Sequence, residues 1–440
     1  MLLRPLSAAL LLTLPFSLFA EEAALPLDDL IITATRTAQT ADETLASVTV
    51  ITQKDLQRLQ ARSLQDALRG VPGISISNNG GAGMATSIFM RGAESDQVLV
   101  LIDGVKVGST TLGTTAFQDL PITLIDRIEV VRGPRASLYG SEAIGGVIQI
   151  FTRKGDVTLK PNFSIGGGSD ETVEATAGLS AGSEQSWFSA NVTGFNTQGF
   201  NACDSDGSGG CYTIEPDKDG HQNLGGTLRT GWRFANGAEA DFHWLRTNSE
   251  TEFDSSFSNE AENELQALGS SLRFSPMHNW QMNLAAGQSQ DNSENFLGNA
   301  FISQYDTTRN SVSWQNDISL GTEHLVTAGF DWQDDQIDST DNYFVDSRDN
   351  KALFTQYQGT FGDYDVQASL RNDDNEQFGN HATGNLAAGY ALSDTLRFMA
   401  SYGTAFKAPT FNELYYPEFG NPNLSPEKSR SFELGLAGEL

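Results

Sequence analysis

The side chains best placed to do chemistry are carboxylates. Asp217-Lys218-Asp219-Gly220, preceded by Glu215, sets alternate oxygens on one side of a glycine-permitted turn, and Asp204-Ser205-Asp206-Gly207 repeats the pattern just upstream. Hard oxygens on a flexible turn suit Ca²⁺. In an acidic chain the same spacing also suits a solvated turn. Cys203 and Cys211 bracket the upstream pattern. In an exported protein such a pair reads as a local disulfide stapling one loop, with a thiol pair or a metal pair as alternatives. Catalysis finds little footing. No H-E-x-x-H occurs, and His221, His243, His278, His324 and His381 are scattered without a metal-spaced neighbour. The chain reads as a binding protein and not as an enzyme.

Composition narrows the partners. Acidic residues number 56 against 27 basic ones, a formal charge of -29, which excludes the basic surface that nucleic acid requires. No apolar run long enough for a membrane helix follows the N-terminus. Hydrophobic content of 39% is nevertheless compatible with a β-barrel, where only alternate residues meet lipid. Met1–Ala20 has Arg4, an apolar core over Leu6–Phe19 and a small residue, Ala20, before Glu21-Glu22. That is the pattern of a secretory signal peptide.

Three stretches must position these groups. Residues 21–45 are polar and irregular apart from one apolar hexad, Asp29-Leu30-Ile31-Ile32-Thr33-Ala34. An exposed strand of this kind can be captured by a partner's sheet edge through backbone hydrogen bonds, or it can open the next domain. Residues 46–154 read as an α+β domain. VTVIT over 48–52 is a strand, Asp55–Arg69 has helical spacing, and Gly70 with Pro72 stops it. Further strands fall at Ile74–Ser77, Ser87–Arg91 and Gln97–Ile102. Two β-branched runs, Ile125–Val131 and Ile144–Thr152, then flank a turn at Gly133-Pro134. From 155 to 440 the period becomes 2, as in Ala238, Ala240, Phe242, Trp244 and again in Val326, Ala328, Phe330, Trp332. Short turns at 234–237 and 275–279 alternate with polar loops near 197–222, 247–265, 290–308 and 332–350. Roughly fourteen strands are predicted. A barrel in lipid must close, and no closing strand is evident, so the chain is expected to be a fragment.

The run Leu124–Gly155, the hexad, Met90-Arg91-Gly92 and Leu101–Val105 together resemble the TonB-dependent outer-membrane receptors. The resemblance implies an α+β plug domain inside a transmembrane antiparallel β-barrel, 22-stranded in the family, with roughly the first fourteen strands present. It implies a place among outer-membrane lipid, and capture of Asp29–Ala34, as a TonB box, by TonB of the TonB–ExbB–ExbD complex. Arg127, Arg132, Arg135 and Arg153, among Asp126, Glu129 and Glu142, then fit a polar seam between plug and wall. Asn79-Gly80-Gly81 with Ser87–Gly92, Val98–Val105, Gly329–Gln333 and Arg371–His381, with Ser401–Pro409 and Gly420–Ser429, are similar to the family's cobalamin (vitamin B12) receptors. Cobalamin or a related corrinoid is the implied ligand; a siderophore or other metal chelate is the alternative. By position, ligand contacts fall on Ala85, Ser87 and Glu94, and on Leu112 and Gly113. Glu94 stands where a neutral amide is expected. The resemblance also implies that calcium orders the outer loops through Asp217 and Asp219, with Glu215 and Asn201 flanking, Asp254 from the next loop and Glu262 completing the set. Asn201 stands where an acid is expected. Outer loops of this kind are also open to phages and colicin-type toxins.

Overall fold

Apolar side chains in the first third of the chain cannot all be covered by one small sheet, and the wall of a second sheet completes their burial. The computed structural model describes residues 31–32, 36–37, 39–40, 44–155, 157–203, 213, 215–393 and 395–438. Met1–Ala20, four hexad residues (Asp29, Leu30, Thr33, Ala34), Asp204, Asp206 and Cys211 lie outside them.

β1 (Ile31–Ile32) pairs antiparallel with β2 (Gln39–Thr40). β3 (Ser47–Thr52) follows, then α1 (Gln53–Leu59) and α2 (Leu64–Leu68). Thr52 caps α1 reciprocally with Asp55, and Ser63 accepts from Asp66 N at the start of α2, satisfying amides the helices leave unpaired. β4 (Ile74–Asn78) and β5 (Thr86–Met90) form a separate hairpin. β6 (Val98–Ile102), β7 (Val105–Val107), β8 (Ile125–Arg132) and β9 (Gly146–Thr152) join β3 in one sheet, ordered β3-β8-β9-β6-β7. β6 runs parallel to β9, and its VLVLI sequence is buried throughout, as a strand covered on both faces must be. Between β8 and β9 the expected turn contains a short helix, α3 (Ala136–Tyr139). β9 begins two residues later than predicted, because Gly145 N turns aside to donate to Gln97 O at 2.9 Å.

Beyond this domain the described residues form a fourteen-stranded antiparallel meander, each strand pairing with the next in sequence. Its strands are β10 (Lys160–Gly167), β11 (Val173–Gly182), β12 (Ser186–Thr197), β13 (His221–Arg233), β14 (Glu239–Glu252), β15 (Glu260–Met277) and β16 (Trp280–Leu297). β17 (Ala300–Ser319), β18 (His324–Ser339), β19 (Ser347–Phe361), β20 (Tyr364–Asn375), β21 (Gly379–Ser393), β22 (Leu396–Lys407) and β23 (Glu427–Gly438) continue it. Among the described residues β10 pairs only with β11, and β23 only with β22. The fold class and strand number agree with the sequence reading. Three of the four long loops do not. Residues 247–252, 260–265, 290–297, 300–308, 332–339 and 347–350 are paired strand, and the connection between β16 and β17 shrinks to 298–299. These stretches look like loop because they are polar on both faces, yet backbone pairing does not depend on apolar side chains.

On the outward face stand Phe188, Leu224, Phe242, Leu353 and Leu370, well exposed as lipid-facing side chains must be. The inward face meets the first domain. Leu245, Leu265 and Ala267 of the wall join one apolar core with Leu56, Leu64, Ile88, Ile102, Ile128 and Ile150. The wall therefore completes the plug's core as well as lining it with polar groups. One nucleophile-like pentad, Gly178-Leu179-Ser180-Ala181-Gly182, does occur in the chain. It lies in β11 and not at a strand-to-helix elbow, so its serine has no catalytic geometry.

Candidate ligand and energy-coupling sites

The plug's apex consists of two loops held by their own hydrogen bonds. In the first, Asn78 Nδ2 donates to Met84 O (3.2 Å) and Thr86 Oγ1 (2.9 Å), and its Oδ1 accepts from Gly80 N (2.9 Å). In the second, Ser109 N donates to Thr114 O and Gly113 N to Ser109 O, at 2.9 and 2.8 Å. Ala85 and Glu94 are exposed, Ser87 is half-buried in β5 opposite Ser77, and Leu112 projects with 60% of its surface free. Gly113 is held at φ +77°, and a Cβ there would stand 2.7 Å from Thr410 Cγ2 and 3.1 Å from Asp96 Cβ. Only glycine fits that close approach.

Each loop abuts a different outer connection. A Cβ on Gly81 would reach Phe200 at 3.3 Å, and one on Gly83 would collide with His221. The second loop docks on α4 (Phe411–Tyr415), where Phe411 N and Asn412 N donate to Thr110 O and Thr111 O at 3.4 and 3.2 Å. Sequence reasoning missed α4. Its signal is Thr410-x-x-Glu413, a capping box that the structure forms in full. An aromatic cluster continues outward from it: Tyr343 bonds Asn412, Tyr305 bonds Asp341, and Tyr343 packs edge-on against Tyr416.

Three of the six expected calcium ligands come together. Ligand oxygens of Glu215, Asp217 and Asp254 lie within 4.8 Å of one another. Asp254 Oδ1 accepts from Glu215 N at 3.1 Å, while its Oδ2 is buried with no hydrogen-bond partner. Burial first, and then the neighbouring Glu215 and Asp217 carboxylates, raise Asp254 above the usual carboxylate range. An oxygen-rich cluster with an unsatisfied buried oxygen fits a hard divalent cation. The other three expected ligands stand outside this group of three. Asp219 is buried and accepts from Ala202 N at 2.6 Å. Asn201 donates to Glu215 O at 2.7 Å and accepts from Cys203 N, tying the loop instead of offering a free oxygen. Glu262 faces outward on β15, opposite Glu250 and Glu294, because strand pairing extends past the expected loop. Among the described residues no cysteine is free.

Just after β1, Arg36 (φ +63°) inserts into the wall. Its guanidinium donates twice to Asp331, at 3.1 and 2.8 Å, and lies 4.5 Å from the Phe354 ring centroid and 5.1 Å from that of Tyr139. Arg371 donates to the same Asp331 and, at 3.3 Å, to Leu138 O of α3. The segment following the hexad is thus pinned both to β18 and to the plug.

The expected polar seam exists, with a different membership. Glu142 accepts twice from Arg309 of β17, Arg91 pairs with Glu433 at 2.5 Å, and buried Lys407 pairs with Asp96 at 2.6 Å. Arg127 and Arg132 stay inside the plug, bonding Glu129 and the Ser47, Thr49 and Pro72 group. Neighbouring strands of their own domain lie nearer to them than the wall does.

Comparison with known proteins agrees with this architecture. Residues 40–147 match the model of the TonB-dependent receptor plug domain, and 205–438 match that of the TonB-dependent receptor-like β-barrel. The vitamin B12 transporter BtuB of Photobacterium profundum is 33% identical over 432 residues, 97% of this chain and 70% of its own length. That of Vibrio vulnificus is 35% identical over 428 residues, 94% and 68% respectively. Among solved structures, the ferric enterobactin receptor PfeA of Pseudomonas aeruginosa superposes with a TM-score of 0.75 at 18% identity, covering 90% of this chain and 70% of its own. The siderophore receptor PirA of Acinetobacter baumannii gives 0.75 at 19% identity, covering 89% and 68%. These two likenesses show the fold alone. A plug seated on an antiparallel wall, with sequence relatives that match nearly the whole chain, settles the family: the chain belongs to the TonB-dependent receptors of the outer membrane.

Proposed function

We propose that the protein imports cobalamin or a related corrinoid. The observation that carries this reading is the identity of 33–35% to vitamin B12 transporters across nearly the whole chain. The apex supports it. A large flat ligand needs close backbone approach and exposed apolar contact, and the exposed Ala85 and Leu112, beside the constrained Gly113, offer both.

In this reading the ligand settles from outside onto Ala85, Ser87, Leu112 and Gly113, with Glu94 at the margin. Glu215, Asp217 and Asp254 hold calcium, which supplies charge neutralisation that orders the two outer loops carrying them. A Cys203–Cys211 disulfide closes the same region. Met1–Ala20 directs export. Asp29–Ala34 serves as the TonB box, captured by strand addition by TonB of the TonB–ExbB–ExbD complex. Tension on the hexad reaches Arg36 first, and through Asp331 and Arg371 it reaches α3 of the plug.

Energised uptake of labelled cyanocobalamin by cells expressing the complete receptor tests the reading, with and without residues 29–34. Saturable uptake that disappears with the hexad is expected. Uptake of a ferric siderophore but not of cobalamin would transfer the same machine to the other cargo.

A further inference from the structure

A cavity lies inside the protein, between plug and wall. It measures about 340 Å³ and sits below the β6–β7 hairpin, toward the end of the barrel with the short connections 234–238, 278–279 and 320–323. Six arginine and lysine side chains line it against four carboxylates. In a chain of formal charge -29 that local excess of cations stands out.

Most of these charges are committed. Arg229 pairs with Asp103 at 2.9 Å and Asp241 at 3.3 Å, and Arg36 and Arg371 share Asp331. Two lysines are not. Among the described residues Lys154 pairs with no carboxylate; its Nζ lies 4.0 Å from the Trp187 ring centroid. Lys106, on β7, has no ion pair or hydrogen bond among the described residues, and burial pulls its ammonium down to about 8. Lys106 is half-buried and Lys154 exposed, so both ammonium groups are open to an anion entering the cavity. His243 adds a buried polar group at the same cavity: its side chain is 8% exposed and both ring nitrogens lack a hydrogen-bond partner, Nδ1 lying 3.5 Å from Asp241.

Val105 fits into gaps left by Gly269 and Gly287, where a Cβ would come within 2.8 Å of Val105 Cγ2. The hairpin is therefore packed closely against the wall at the cavity's edge.

We propose that this cavity is a transit site for an oxyanion group of the cargo, such as the phosphodiester of a corrinoid or the carboxylate of a siderophore, bound by Lys106 and Lys154. Its part in transport rests on the import reading; anion binding itself does not. Lysine ammonium groups bind phosphate oxygens through charge-assisted hydrogen bonds, and an anion that draws Lys154 away from Trp187 changes that indole's fluorescence.

Inorganic phosphate is titrated into the purified full-length receptor while tryptophan emission is followed, with Trp187→Phe as the blank. A saturable change with half-saturation near roughly 1 mM is expected, weakened about tenfold by Lys106→Gln and restored by Lys106→Arg. Absence of a saturable change in the wild type overturns the proposal, and so does an equal response from Lys106→Gln. In cells, Lys106→Gln lowers the rate of labelled cobalamin uptake while binding at the apex is retained; an unchanged rate removes the transit role. If the wild type carries no cobalamin at all, the corrinoid reading falls and the phosphate titration still decides the cavity.

Discussion

Asp119 shows how much one side chain's surroundings matter. It ends the second apex segment buried against the wall, where Ser249 Oγ donates to it at 2.7 Å. Burial pushes its carboxyl from 3.8 up to about 6, so the folded protein favours the protonated form. That contribution is complete below 3.8 and is lost as pH rises through about 6. Asp119→Asn is therefore expected to stabilise the receptor by up to about 3 kcal/mol near pH 7.5 and by little near pH 4. Thermal unfolding at the two pH values measures it, and an equal gain at both would contradict the assignment. The outer cluster has the opposite need. Asp254, raised by burial and its acidic neighbours, is relieved by a cation. Calcium at about a hundred times its Kd is expected to stabilise the wild type by roughly 3 kcal/mol. Asp217→Ala with Asp254→Ala should abolish that gain while leaving the calcium-free melting temperature little changed.

Among the elements, α4 couples the outside to the plug. It is too short to persist alone, and its position depends on the Thr410–Glu413 box, with Lys407 bonding the same Glu413 at 3.3 Å. Losing an N-cap costs about 1 kcal/mol, or roughly fivefold in a local opening equilibrium. In Thr410→Ala the Phe411 and Asn412 amides, which donate to Thr110 O and Thr111 O, should exchange hydrogen several-fold faster. Unchanged protection would mean that packing of Phe411, fully buried, holds the helix without its cap.

At the scale of the molecule, plug and wall share an apolar core and a discontinuous set of ion pairs. Arg91 and Glu433 are partly exposed, so their pair is worth about 1 kcal/mol at most. Arg91→Glu or Glu433→Arg alone should loosen the plug, read as faster proteolysis of the 70–95 region. The double reversal should restore resistance; failure to do so would mean that Arg132 and Arg135, close by, control the charge at Glu433.

The sequence by itself determined the two kinds of pattern, and with them the plug, the strand alternation and roughly the number of strands. Period-2 alternation is a local property that lipid on one face imposes directly. Local signals also sufficed for the helix stops at Gly70 and for carboxylates on the 215–219 turn. Which of those carboxylates meet was decided only in three dimensions: Asp254 joins Glu215 and Asp217 across two connections, while Glu262, eight residues further on, is carried outward by strand pairing. The Arg36–Asp331 clamp, the docking of α4 on Thr110 and Thr111, and the cationic cavity at Lys106 likewise join residues far apart in the chain. Contacts across the plug–wall interface leave no periodicity in either strand, because they depend on how one whole domain is seated against the other.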